Sequence, residues 1–417
     1  MLIKTILNKC HKFKSFVYQQ VSLALYQGEE VLEVTIVPRR NSKALCSGCR
    51  EPAPGYDSLR ERRFEFIPVL GYRVFFLYVM RRVHCRACGV RVEQVPWTTG
   101  KKELTTTYMQ YLAFWAEKLS WQEVARSFRT SWGKVYSAVE YIVEWGLAHR
   151  SLDGVTAIGV DEVAWQKGHN YLTVAYQIDR HQTRLLWVGE NRTENTIRSF
   201  FRFLGPERSQ RLEYVCSDMW KPYVKVIAEL AGQALHILDR FHIVAMLNKA
   251  IDEVRASEHK KLIADGYEPV LKKSRWCLLK RKENLTKLQA VSLKTLLQYN
   301  LKSVRAYLLK EDFHAFWNYI SPCWAEKYLN KWCTRVMRSK IEPMKKVVKT
   351  IRRHKPLIMN WFHAKKAFSS GIVEGLNTKI KLTTRKSYGF RTFRCAEIAL
   401  YHSLGKLPTP EMTHRFY

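Results

Sequence analysis

The sequence predicts an α/β fold: a ribbon-like module and a helical module, then a mixed five-stranded sheet with helices, split by a long all-helical insertion. Three observations carry this expectation. From residue 155 the apolar pattern alternates between strand and helix periods. From 243 to about 365 the alternation stops and only helical periods remain, rich in Lys, Arg, Leu and Trp. Ahead of both, two CxxC pairs and a run of short helical patterns occupy the first 150 residues.

Composition narrows the partners. A chain of 417 residues is too long for one ordinary core, so about two to four domains are expected. There are 70 Lys and Arg against 37 Asp and Glu, a net charge of +33. Such an excess draws polyanions, nucleic acid first and an anionic membrane surface second. No uninterrupted apolar run reaches about 18 residues, so a spanning helix is not expected. "MLIKTILNKCHKF" lacks the apolar stretch and cleavage site of a signal peptide, so the protein is expected to be cytoplasmic. Ten Cys without a signal peptide fit reduced thiols and a metal better than a disulfide framework.

Residues 1–100 are expected to hold N-terminal strands and a zinc ribbon. "VLEVTIVP" (31–38) alternates like a strand, and "GYRVFFLYVMRRVHCRAC" is strand-like as far as Val83. Cys46 and Cys49 form one knuckle, Cys85 and Cys88 the other, 35 residues apart. Two knuckles on strands bring four thiolates to the corners of a tetrahedron, which suits one structural Zn²⁺. His84, beside Cys85, is either a substitute ligand or a surface side chain of the ribbon, and the second reading is preferred.

Residues 101–150 change period. "LTTTYMQYLAFWAEKL" places Leu104, Tyr108, Tyr111, Leu112, Trp115 and Leu119 on one helical side. "SWQEVARSF" follows, with Ser120 as N-cap and Glu123 closing a capping box. After "RTS" comes "WGKVYSAVEYIVEWGL". Small Ala125 permits close crossing, and Val124, Phe128, Val135 and Ala138 fill the joint. This is helix-turn-helix spacing, with Arg126, Arg129 and Lys134 where phosphates or bases would lie. A three-helix packing unit gives a similar pattern.

Residues 151–242 read as strand "VTAIGVD", strand "NYLTVAYQID", strand "RLLWVGEN", helix "TENTIRSFFRFL", strand "LEYVCSD", a helix interrupted at Pro222, and strand "QALHILD". Three antiparallel strands, then helix, strand, helix, strand, is the ribonuclease-H-like order. Residues 243–365 would be the helical insertion, and 366–417 the final part of the core with a C-terminal tail. There "GIVEGLNTKIK" sets Val373, Leu376 and Ile380 in an apolar stripe beside a polar face of Glu374, Asn377 and Lys381.

The strand ends carry the chemistry. Asp161 ends the first strand of this core and Asp218 the fourth, while Glu374 sits on the late helix. Phosphodiester chemistry uses two divalent ions about 4 Å apart, and Mg²⁺ takes hard oxygen ligands, so a few carboxylates suffice. From Lys331 to Arg394 there are 18 Lys and Arg and only two acids, Glu342 and Glu374. A lone carboxylate there is either a salt-bridge partner or a metal ligand, and the two strand-end aspartates favour the ligand. Lys379, Lys381, Arg385 and Lys386 surround Glu374 and are expected DNA contacts. Asp239, also at a strand end, is read as supporting or structural. Glu162 points away from Asp161 by alternation, and His242 serves phosphate contact or packing.

The order CxxC…CxxC, helix-turn-helix, "GVDE", "SDMWKPY", "LDRFHI", "VEGLNTKIK" and "YGFR" resembles the ISL-three family of bacterial insertion-sequence transposases, over about residues 40–405. The resemblance implies a DDE active site at Asp161, Asp218 and Glu374 with two Mg²⁺ or Mn²⁺. It also implies binding of the element's terminal inverted repeats through the N-terminal part and action on target DNA; because two ends must be held together, the mechanism calls for a homodimer or larger assembly. Two other readings compete: a catalytically silent DNA-binding descendant, and a structure-directed nuclease of the same fold.

Overall fold

The computed structural model describes residues 3–166, 168, 170–366 and 370–411. The chain divides into two compact units, one of residues 1–151 with 381–417 and one of 152–380.

The first unit opens with α1 (Ile3–Cys10) and the strands β1 (Phe16–Tyr26), β2 (Glu29–Pro38), β3 (Gly55–Val69), β4 (Tyr72–Cys85) and β5 (Gly89–Val92). The sheet runs β1-β2-β4-β3, with β5 paired to β4. Its neighbours are antiparallel except β2 with β4, which run parallel. One face buries Phe64, Phe66, Phe76, Tyr78 and Trp97. The two expected strands are β2 and β4. β1 and β3 had no readable signal, because the first half of β3, "GYDSLRERR", is almost wholly exposed and no buried face imposes alternation.

Three helices follow: α2 (Thr106–Lys118), α3 (Trp121–Ser127) and α4 (Trp132–His149). The Ser120 hydroxyl accepts from the Glu123 N–H while the Glu123 carboxylate accepts from the Ser120 N–H, so the expected capping box is present. Val124, Ala125, Val135 and Ala138 are buried where the helices meet. Glu65 of β3, only 2% exposed, pairs with Arg73 at 3.1 Å and with Lys134 of α4 at 2.7 Å, tying sheet to helices.

The second unit begins with β6 (Ala157–Gln166), β7 (Asn170–Asp179), β8 (Gln182–Glu190), α5 (Glu194–Leu204), α6 (Pro206–Gln210), β9 (Tyr214–Ser217), α7 (Lys221–Leu230) and β10 (Leu235–Leu238). The order across the sheet is β10-β9-β6-β7-β8. β6, β7 and β8 are antiparallel, whereas β6, β9 and β10 run parallel. Ile158, Val160 and Val215 pack under Phe200 of α5 and Tyr223 and Val226 of α7. Two details depart from expectation. Pro222 stands in the first turn of α7, where a missing N–H costs nothing, so it starts the helix instead of interrupting it. β6 also runs on to Gln166 against β7, so Asp161 lies within a strand and not at its end.

The helical stretch consists of α8 (Arg240–Ala264), α9 (Arg275–Leu279), α10 (Lys287–Leu296), α11 (Lys302–His314), α12 (Pro322–Arg338), α13 (Glu342–Arg353) and α14 (Lys355–His363), with two short 3-10 turns. α15 (Ser370–Lys386) then carries Val373, Leu376 and Ile380, all buried. Its last turns, from Lys381, belong to the first unit. So does α16 (Phe393–Leu404), which packs on α4. Arg394 of α16 pairs with Glu140 and Glu144 of α4. The expected final segment, 366–417, thus divides at Ile380, and its residues 367–369 and 412–417 lie outside the described residues. Among the described residues no helix is long and apolar enough to cross a membrane.

Candidate active site and metal centre

The four knuckle cysteines converge. Their sulfurs all lie within 4.8 Å of one another, with Cys49 and Cys85 Sγ 3.5 Å apart. β4 and β5 deliver Cys85 and Cys88 around Gly89, which takes φ +71 at the turn. The first knuckle turns back through the Arg50 N–H donating to the Cys46 carbonyl at 2.9 Å. Gly48 has no alternative: a Cβ there would stand 2.9 Å from Cys88 Sγ. Backbone N–H groups of Cys49 and Gly48 draw the Cys46 thiol down to about 7, while Cys49 and burial push Cys88 up to about 12. Four soft sulfur donors at this spacing fit a tetrahedral zinc ion. His84 is exposed and stands outside the cluster.

The carboxylate site lies on the central strands of the second unit. The last parallel pair of β6 and β9 is Gly159 with Cys216. Asp161 and Asp218 both follow this point, where β6 loses its parallel neighbour. They line one small cavity together with Ser217, Asp239, Arg240 and Val373. Its space of about 20 Å³ takes one water-sized particle.

Both aspartates are held. Asp161 accepts from the Glu162 N–H at 2.8 Å and from Asn377 Nδ2 at 2.6 Å. The Asn377 side-chain oxygen in turn accepts from the buried Tyr176 hydroxyl at 2.8 Å. Burial raises the Asp161 pKa above the ordinary carboxylate range; the Glu162 N–H, Asn377 and His242 pull it down, and Asp239 adds to the rise. Asp218 accepts from the Trp220 N–H at 2.7 Å and from Arg192 Nη2 at 3.1 Å. Arg192 also stands 2.9 Å from Glu162 and lies over the Trp220 ring. That contact with Glu162 is one of charge, since neither Arg192 Nε nor Glu162 Oε1 has an aligned hydrogen bond. Glu162 faces away from Asp161, as alternation predicts. Burial first, then Asp218, lifts its pKa to about 7.

Glu374 is placed differently. It is exposed on α15 and lines a neighbouring cavity of about 620 Å³ with Arg281, Lys282, Lys310 and Glu311. Arg240 borders both cavities. Among the described residues, only the four cysteines form a cluster of three or more ligand atoms within 4.8 Å. Asp161 and Asp218 therefore share a cavity, and Glu374 belongs to the one beside it. Val373, next to Glu374, fixes where α15 sits: a Cβ on Gly159 would stand 2.5 Å from Val373 Cγ2. Asp239 caps α8 by accepting from the Phe241 N–H at 2.7 Å, with His242 Nε2 3.7 Å away.

The expected DNA contacts also separate. Arg126, Arg129, Lys379, Lys381 and Arg385 are exposed. Lys134 is engaged by Glu65, and Lys386 donates to the Ala116 and Glu117 carbonyls at 3.1 and 3.0 Å, closing the C-terminus of α2. These two side chains hold the first unit together, which long-range partners impose and local spacing does not reveal. Arg192 went unread because it sits in a loop without periodicity. Asn377 was visible only as one residue of a polar helix face.

Known proteins share this chain's pattern. Residues 158–400 match the ISL-three DDE family, described as "Transposase". The transposase for insertion sequence element IS1001 of Bordetella parapertussis is 30% identical over 350 residues, 83% of this chain and 85% of that relative. The transposase for insertion sequence element IS1557 of Mycobacterium tuberculosis is 28% identical over 381 residues, 85% of this chain and 84% of that relative.

Proposed function

The chain belongs to the ISL-three family of DDE insertion-sequence transposases, and on that premise we propose that it binds the terminal inverted repeats of its element and carries out metal-dependent end cleavage and strand transfer. The observation that carries the catalytic part is the pair of aspartates, half-buried Asp161 and buried Asp218, lining one cavity beside the last parallel pair of β6 and β9. The strand order β10-β9-β6-β7-β8 supports the ribonuclease-H-like reading, with α8 to α14 as an insertion between the sheet and α15.

In this reading Asp161, Asp218 and Glu374 would hold two Mg²⁺ or Mn²⁺ ions. When bound, such ions would supply activation of the attacking oxygen, water for cleavage and a 3′-hydroxyl for transfer, and stabilisation of the leaving oxygen. The donor chemistry fits: all three are hard carboxylate oxygens, and Asp161 and Asp218 share one cavity. Asn377 and the Glu162 N–H fix the direction of Asp161, as the Trp220 N–H and Arg192 fix that of Asp218. α15 carries Glu374 on the wall of the neighbouring cavity, which shares Arg240 with that of the aspartates, and from there Glu374 would complete the set. The neighbouring cavity, with Arg240, Arg281 and Lys282, offers positive charge to a phosphodiester backbone.

Recognition is assigned to the first unit: the cysteine ribbon with one Zn²⁺ and the α3–α4 helix-turn-helix with exposed Arg126 and Arg129. Two ends must be held together for transfer, so the working form on DNA is a dimer or larger. The test is incubation of the full chain with labelled duplex carrying the element's ends. Cleavage at the ends with Mg²⁺, and none in EDTA, supports the reading. Binding without cleavage marks a silent descendant, and cleavage indifferent to end sequence marks a structure-directed nuclease.

A further inference from the structure

The "YGFR" motif, Tyr388 to Arg391, has no part in the chemistry above. It follows α15 within the first unit, in a turn closed by the Tyr388 N–H to the Arg385 carbonyl and the Gly389 N–H to that of Thr384. Both central residues take left-handed backbone, φ +52 at Tyr388 and +92 at Gly389. For tyrosine this conformation is uncommon and unfavourable, yet the turn holds its ring 94% exposed, where it stabilises no core.

The turn forms one wall of a cavity of about 520 Å³. Trp121 and Trp132, the first residues of α3 and α4, line the same cavity. Trp132 stacks on Tyr136 with centroids 5.6 Å apart and planes 14° from parallel, and Trp121 abuts both. Trp132 keeps 43% of its surface exposed. Arg391 also lines the cavity. A backed indole, a second exposed ring and a guanidinium beside one space are the parts that bind an unstacked base and its phosphate. The volume lies within the range of about 300–1,000 Å³ usual for small-ligand sites.

We propose that this cavity takes one unpaired nucleobase of bound DNA, stacked on Trp132, with Tyr388 at its rim and Arg391 toward the adjoining phosphate. The proposal rests on the reading of DNA as the partner. It adds that the helical module engages DNA distorted at one position, since an indole face stacks on a base only when that base has left the duplex stack.

The experiment compares two probes on the full-length protein: a perfect duplex of arbitrary sequence, and the same duplex with one unpaired 2-aminopurine. The unpaired probe should bind at least about fivefold more tightly, the lower end of one base–aromatic stack, with its fluorescence quenched. Tyr388→Ala, which removes an exposed ring and no core contact, should reduce both effects. Trp132→Leu should abolish them, and Trp132→Phe should largely restore them. Equal affinity for the two probes, or a preference that survives both Tyr388→Ala and Trp132→Leu, overturns the proposal while leaving DNA binding intact. Binding of neither probe sinks the DNA reading itself. Loss of self-association in Trp132→Leu, with probe preference unchanged, assigns the cavity to a protein partner and also overturns it.

Discussion

At the residue scale, both strand aspartates depend on neighbours that fix them. Asn377 is the clearest case, since it donates to Asp161 and accepts from Tyr176 at once. Asn377→Ala should cost roughly 10–100-fold in cleavage, the usual penalty for losing a ligand's supporting partner. The half-saturating Mg²⁺ concentration should rise while duplex binding is kept; a merely structural role would leave the metal dependence unmoved. His236 of β10 supplies a pH signature. It is 6% exposed, contacts Ser217 Oγ at 2.8 Å, and burial, helped by His354, lowers its pKa to about 4. The unfolded imidazole titrates near 6.5, so between these values the unfolded chain binds more protons. Stability is complete above about pH 6.5 and falls as pH drops toward 4, by up to about 3 kcal/mol. Melting curves at pH 7 and pH 5 should show this loss, and His236→Gln should show less of it.

At the scale of elements, what was legible in the sequence followed burial. β6 to β10, α5 and α7 could be read because each buries one face, and the Ser120 capping box because its signal is local; α6, which buries only Ser209, could not. β3 could not, because its charged half faces solvent, and the pairing of Lys134 with Glu65 and of Lys386 with the α2 carbonyls could not, because those partners are remote in sequence. The convergence of Asp161 with Asp218 was readable from strand order. The seating of α15 was not, since it turns on the absence of a Cβ at Gly159. Gly159→Ala would force that Cβ against Val373 Cγ2, a branched and therefore stiff neighbour. Overpacking of this kind costs about 1–3 kcal/mol. Cleavage should fall well beyond what the shift in denaturation midpoint explains, because Glu374 and Asn377 ride on α15. A midpoint shift with full cleavage would mean that α15 does not set the site.

At the scale of the molecule, the two units have separate cores, so their losses should separate. Protein purified without chelator should carry one Zn²⁺ per chain by elemental analysis. Cys49→Ser should release it and increase proteolysis within residues 40–95, while the 152–380 unit keeps its melting transition. The most direct measurement of the central claim is end cleavage by Asp161→Asn, Asp218→Asn, Glu374→Gln and Asp239→Asn proteins, each verified to fold and to bind DNA. These amides keep the side chain's shape and remove its charge. The account predicts that the first three are equally inert, non-additive in combination, and that Asp239→Asn retains most activity. Wild-type cleavage by Glu374→Gln together with an inert Asp239→Asn would contradict it, and would move the third ligand to the strand end where Asp239 caps α8.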